Sequence, residues 1–276
     1  MKKITDYEFF KKRSVRIGSA VIAILLLLSG SAILIWLLST EMVTANPRFT
    51  LRHVLVKSHD RGFWKGQKDL ICEIFRIREG ATNLFLLNPK ELRERLRMRE
   101  PSIESVQVIR ELPDTLYVDI VERTPVALVN SRRSAQVVDS KAILMSKNRC
   151  MNISASLPII FGLPNAANYP PGSAIQKFEP AVNLINLTRT NYPDLRIGAI
   201  NVSHPGQLIC AVYYKEGKDI YRVVMPDQNL SRNLQILCTT LEKMLKSHNP
   251  RRNINLMFKG QVIITSSRIS GGNLYI

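Results

Sequence analysis

The chain has 276 residues, a formal net charge of +17 and 45% hydrophobic residues. That apolar content is enough to build packed cores, which excludes a disordered polyelectrolyte. The excess of Lys and Arg suits anionic partners such as lipid headgroups, an acidic wall polymer or acidic proteins, but it is scattered and carries no nucleic-acid-binding motif, so no nucleic-acid partner is expected.

The first 16 residues hold six Lys or Arg against Asp6 and Glu8. Ile17 to Leu38 then run without a charged residue. As a helix, such a stretch spans about 33 Å against about 30 Å of hydrocarbon, so a transmembrane helix is expected over 17–38. Its candidate membrane-anchor residues are Ile17, Leu25, Leu28, Trp36 and Leu38, with the Trp36 indole at interface level. Only Arg48 and Arg52 follow at comparable distance, so the basic front stays in the cytoplasm and the remainder is exported. A cleaved signal peptide ending near Val43-Thr44-Ala45 is the rival reading, but signal h-regions run about 7 to 15 residues and this one is longer.

Beyond the linker, Phe49 to Val56 reads as a strand and Lys68 to Ile77 as a helix with apolar residues at helical spacing. Asn83-Leu84-Phe85 is a short apolar link. Asn88 with Pro89 starts a second helix to about Arg99, with Leu92 and Leu96 inward. Its Arg93, Arg95, Arg97 and Arg99 form a solvated face, with a lipid or partner patch as the alternative. Ser102 to Glu111 and Leu116 to Val121 alternate as strands around a Leu112-Pro113-Asp114 turn; Ile103, Val106, Val108, Leu116, Val118 and Ile120 are the expected core. The predicted order over 49–123 is β-α-α-β-β.

This order, together with Asn83-Leu84-Phe85, Leu112-Pro113-Asp114-Thr115-Leu116 and Glu122-Arg123-Thr124-Pro125-Val126-Ala127, resembles the FtsQ/DivIB family of bacterial cell-division proteins. Val137-Val138-Asp139 and Leu157-Pro158-Ile159-Ile160-Phe161-Gly162 resemble the start of that family's second, β-rich domain. The resemblance implies an α+β chain: an N-terminal transmembrane helix, a POTRA domain at 49–123, a β domain at 124–266 with flanking helices, and a tail at 267–276. Three positions depart from the family pattern. Lys57-Ser58 stands where Gly is usual after the first strand, Ala142 where Gly follows the Val-Asp, and Asn255-Leu256-Met257-Phe258 where Asp-Leu-Arg-Tyr is common.

Further strands are predicted at Ala127 to Val129, Ala135 to Asp139, Ala142 to Met145, Arg196 to Val202, Gln207 to Tyr214 and Asp219 to Met225, with a helix at about 178–190. Asp227 is the expected cap of a helix to about Lys246, whose Leu230, Leu234, Leu237, Leu241 and Leu245 form the inward stripe. Ile254 to Phe258 and Gln261 to Thr265 close as a hairpin around Lys259-Gly260.

No catalytic pattern is present. His53, His59, His204 and His248 are isolated, and no Gly-x-Ser-x-Gly elbow or phosphate loop occurs. Glu122 and Asp139 read as structural carboxylates. Cys72, Cys150, Cys210 and Cys238 form no CxxC pair; Cys72, Cys210 and Cys238 read as small buried hydrophobes, and the pairing of the four stays open. No cofactor or small-molecule substrate is expected. Binding remains, and a terminal hairpin tends to sit at a sheet edge, where a partner strand can add. The resemblance implies that this part receives FtsB-like and FtsL-like single-pass coiled-coil proteins, with Leu256, Met257, Phe258, Val262, Ile263 and Ile264 as the candidate contacts and Phe258 at the family's Tyr position. It also implies contacts with other divisome components, an inner-membrane location at the septum, and no enzymatic activity. A POTRA-bearing secretion or outer-membrane assembly factor would instead carry a β-barrel of strands about ten residues long after residue 126. A membrane-anchored wall enzyme would show a clustered acid, base or metal site.

Overall fold

Parallel strands need a crossover, and the first sheet supplies one from two helices. β1 (His53–Lys57) is followed by α2 (Lys68–Phe75) and α3 (Pro89–Arg99), then by β2 (Ile103–Glu111) and β3 (Thr115–Glu122). The sheet order is β1-β3-β2, with β1 parallel and β2 antiparallel to β3. This is a computed structural model, and it describes residues 21–37, 46–59, 62–129, 136–150, 157–163 and 169–266. Residues 21–37 are helical (α1).

Among the described residues no helix is long and apolar enough to cross a membrane. α1 accounts for about 26 Å of helix at 1.5 Å per residue. Ile17 and Leu38 lie outside the described residues. Leu25, Leu28 and Trp36 lie on α1 and are exposed, as are the large apolar side chains around them.

The small sheet carries a core on its helix side. Ile71, Ile74, Phe75, Leu92 and Leu96 pack against Val54, Ile103, Val106, Leu116, Val118 and Ile120. The alternation expected of β3 is met, and Leu92 and Leu96 face inward as predicted. α3 starts where its sequence requires: the Asn88 side chain accepts from Lys90 N at 3.1 Å, with Pro89 at the first turn. β1 begins at His53 rather than Phe49, because Asn46 and Pro47 start a short 3-10 turn over Pro47–Phe49. The Asn83-Leu84-Phe85 link is likewise a 3-10 turn, capped by the Asn83 side chain.

The second core lies under one large sheet. β4 (Ala127–Val129), β5 (Gln136–Val138), β6 (Leu144–Ser146), β7 (Ile159–Phe161), β8 (Leu195–Asn201), β9 (Gln207–Tyr214), β10 (Ile220–Pro226), β11 (Asn253–Asn255) and β12 (Ile263–Thr265) pair in the order β12-β11-β10-β9-β8-β7-β4-β5-β6. α4 (Glu179–Asn191) and α5 (Leu230–Lys246) bury Leu184, Ile185, Leu234, Leu237 and Leu241 against Ile197, Ile200, Cys210, Val212, Val223 and Ile254. The sheet is open, with described strands of three to eight residues. It is not a closed barrel of ten-residue strands. The architecture is α+β.

Three local expectations are corrected. α5 is entered through Asn229 in a left-handed conformation (φ 52), not capped by Asp227. Leu245 is 42% exposed and Met244 takes its inward place. β6 begins at Leu144, because Ala142 sits at φ 57 in a turn closed by Asp139. This left-handed conformation is one that glycine adopts more readily than alanine.

Candidate partner-binding surface

β12 pairs on one side only among the described residues. It is antiparallel to β11, with Asn253 opposite Thr265, Ile254 opposite Ile264 and Asn255 opposite Ile263. β11 runs parallel to β10, so α5 is the crossover between them. Both ends of β11 are held. Arg252 donates to Asp219 Oδ2 at 2.8 Å and stands 5.2 Å over the Tyr221 ring, while Leu256 N donates to Val224 O at 2.8 Å. The edge is therefore docked on a stable sheet, and its outer backbone groups face no described strand.

The six candidate contacts divide by burial. Leu256 is buried in the core, and Val262 and Ile264 are half-buried against it. Leu256 thus packs into the core beneath the edge. Phe258 (52% exposed), Ile263 (40% exposed) and Met257 are the apolar side chains offered to solvent. Phe258 is not on a strand. Asn255 ends β11 by accepting from Met257 N at 2.9 Å, and Gln261 N closes the following turn on Phe258 O at 3.3 Å. Gly260, at φ 75, takes the left-handed position of that turn. The surface is an edge strand flanked by an aromatic knob, which suits strand addition: backbone bonds for affinity, alternating side chains for selectivity.

The partners of Glu122-Arg123 were not legible in the sequence. Glu122 accepts from Ser58 Oγ at 2.6 Å and from the backbone of Phe63 and Trp64 at 2.9 Å each. Ser58 thus has a task at the position where the family usually places Gly. Gly62 makes this approach possible, since any side chain there would collide with the Glu122 carboxylate. Arg123 turns the other way. It donates to Pro101 O at 3.0 Å and to Asp139 Oδ2 at 2.8 Å. Asp139 also accepts from the backbone of Lys141 and Ile143. Of the two carboxylates that read as structural, Glu122 holds the loop after β1 and Asp139 ties the second sheet to Arg123.

A cleft of about 380 Å³ lies at this join, lined by Lys57, Asp119, Glu122, Thr124, Pro125 and Cys150 among others. Burial, with a smaller contribution from Glu122, pushes the Cys150 thiol up to about 11. Burial pushes the Cys210 thiol up to about 12. Both shifts favour the protonated thiol, and none of the four cysteines is in a disulfide. Among the described residues no group of three or more His, Cys, Asp or Glu is placed to hold a metal ion.

Comparison with known proteins is consistent with the geometry. The family model "POTRA domain, FtsQ-type" matches residues 67–123, which include α2, α3, β2 and β3. The chain is 25% identical over 195 residues to the cell division protein FtsQ of Koribacter versatilis, covering 70% of this chain and 55% of that protein. It is 28% identical over 152 residues to the cell division protein DivIB of Clostridium acetobutylicum, covering 54% of this chain and 59% of that protein. With the FtsQ of Zymomonas mobilis it shares 32% identity over 114 residues, 41% of this chain and 34% of that protein. The match thus spans little more than half the length of the first two relatives.

Proposed function

We propose that this chain is a member of the FtsQ/DivIB family of bacterial cell-division proteins, to which it is similar, and that it is a non-enzymatic divisome scaffold. In this reading residues 17–38 anchor it in the inner membrane with the basic tail in the cytoplasm. Both sheets then lie in the periplasm at the septum, and they help to recruit or regulate septal wall synthesis through protein contacts. The observation that carries the reading is the open β12 edge on a domain joined to an FtsQ-type POTRA unit. Small single-pass coiled-coil proteins of the FtsB and FtsL kind are the partners, adding a segment beside β12 and covering Phe258 and Ile263.

Two charged substitutions test this. Ile263→Asp and Phe258→Asp place a carboxylate in an interface core, where truncation of a central contact costs about 2 kcal/mol or more. Co-purification of the coiled-coil partner from membranes is expected to fall at least about tenfold, since 1.4 kcal/mol is a factor of ten. The circular dichroism spectrum should not change, because both residues are exposed. Unchanged recovery of the partner would refute the edge as its site. Depletion of the protein is expected to give filamentous cells and a fluorescent fusion to mark midcell; normal division with diffuse signal would refute the scaffold role.

A further inference from the structure

The end of the first unit at which the described chain resumes after α1 combines three arginines with exposed apolar side chains. Phe49, in the 3-10 turn Pro47–Phe49, packs edge-on against Phe85 at 4.9 Å. Arg110 stands 5.7 Å over the same Phe85 ring. Leu86, next in sequence, is 68% exposed, and Leu112 in the β2–β3 turn is also exposed. The turn belongs to the same end, because Arg52 N and His53 N both donate to Asp114 O. Arg48 and Arg52 flank the entry point and are exposed.

The arginines at this end have no acidic partner among the described residues, whereas those of α3 do. Arg93, Arg95 and Arg97 lie against Glu91 and Glu94, and Arg99 against Glu73. Arg48, Arg52 and Arg110 enter no ion pair among the described residues. Of the nearby carboxylates, Asp114 is half-buried and accepts from the Thr115 hydroxyl. Glu111 lies on the opposite face of the sheet from Arg110, because alternate residues of a strand point to opposite sides.

Chain geometry limits where this end can be. Residues 38–45 bridge α1 to Asn46, a reach of at most about 30 Å. That is close to the diameter of a domain of this size. We propose that this end of the first unit docks on the anionic lipid surface of the leaflet that α1 enters, with Leu86 and Leu112 at the headgroup boundary and Arg48, Arg52 and Arg110 on lipid phosphates. The proposal rests on the anchor reading above. Docking fixes the orientation of the first sheet relative to the membrane, and through the Arg123–Asp139 pair it sets the direction in which the β12 edge is presented.

The test uses the full chain in nanodiscs with brominated acyl chains, made of phosphatidylcholine alone or mixed with phosphatidylglycerol. Leu86→Trp introduces an indole at the proposed contact, and Ile263→Trp serves as the distant control. Both substitutions are made in a Trp36→Phe chain, whose remaining natural indole is the buried Trp64, and quenching of the natural chain beyond that of Trp36→Phe reports Trp36 and the anchor. The expected result is quenching of Trp36 in every disc, and quenching at position 86 but not 263 in discs with phosphatidylglycerol. Each Arg→Gln change at 48, 52 or 110 should weaken docking about fivefold, the effect of one basic residue at an anionic surface. Trp36 quenched with positions 86 and 263 alike would overturn the docking and leave the anchor standing. Trp36 unquenched would overturn both.

Discussion

Glu122 and Arg123 are neighbours with opposite duties. One gathers the loop after β1 and the other reaches across to the second sheet. The sequence marks the pair through its motif, but their partners lie up to 64 residues away and no local pattern announces them. Ala142 is similar: an alanine gives no sign of a left-handed turn unless a glycine-bearing relative is set beside it. Glu100, three residues before β2, was not legible at all. It is buried with only Arg149 at 3.5 Å opposite it. Burial pushes its carboxyl above the ordinary value of 4.5, against the pull of Arg149 and Arg99. A carboxyl raised on folding contributes stability that is complete below its unfolded pKa and is lost as pH rises through the folded one. Glu100→Gln is therefore expected to be more stable than the natural chain at pH 7, with the difference closing below about pH 4. Urea denaturation at the two pH values checks this, and a variant that is less stable at pH 7 would contradict it.

At the scale of elements, periodicity located α5 and misplaced its last contact. Steps of three and four residues lead from Leu230 through Leu234, Leu237 and Leu241 to Met244; a further step of four to Leu245 drifts off the 3.6-residue stripe. Leu237→Ala is accordingly expected to cost about 3 kcal/mol, the range for a fully buried leucine. Leu245→Ala should stay within about 0.5 kcal/mol. Equal losses in chemical denaturation would put both on the core face. The terminal hairpin shows the converse limit. The apolar content of 254–258 and 261–265 reads as two five-residue strands, whereas the ladder between them holds three residues in each. Leu256, Met257 and Phe258 are apolar but lie beyond the β11–β12 ladder, because Asn255 bonds forward and Gly260 turns the chain. Hydrophobic pattern reports burial; it does not report which backbone groups find a partner strand.

Over the whole molecule, two cores are tied by few polar contacts. Arg123 meets Asp139 at 2.8 Å with side chains 14% and 4% exposed. Lys141 meets Glu104 at the surface, and Gly172 lies against Pro101, as judged by where its Cβ would fall. Removing one partner of a buried pair leaves a stranded charge and costs about 3 to 5 kcal/mol. Arg123→Ala should therefore lower stability by about that amount and separate the melting of the two units in calorimetry. A single transition at the natural temperature would show that Arg123 is not the tie. The order of strands carries a consequence of its own. The β12 edge rests on β11, β11 on β10, and the step from β10 to β11 passes through α5. Every other described strand of the large sheet precedes this hairpin in the chain, so the hairpin is synthesised after them and docks only once β10 is in place. In the proposed reading, strand addition at this edge would therefore report that the large sheet has been completed.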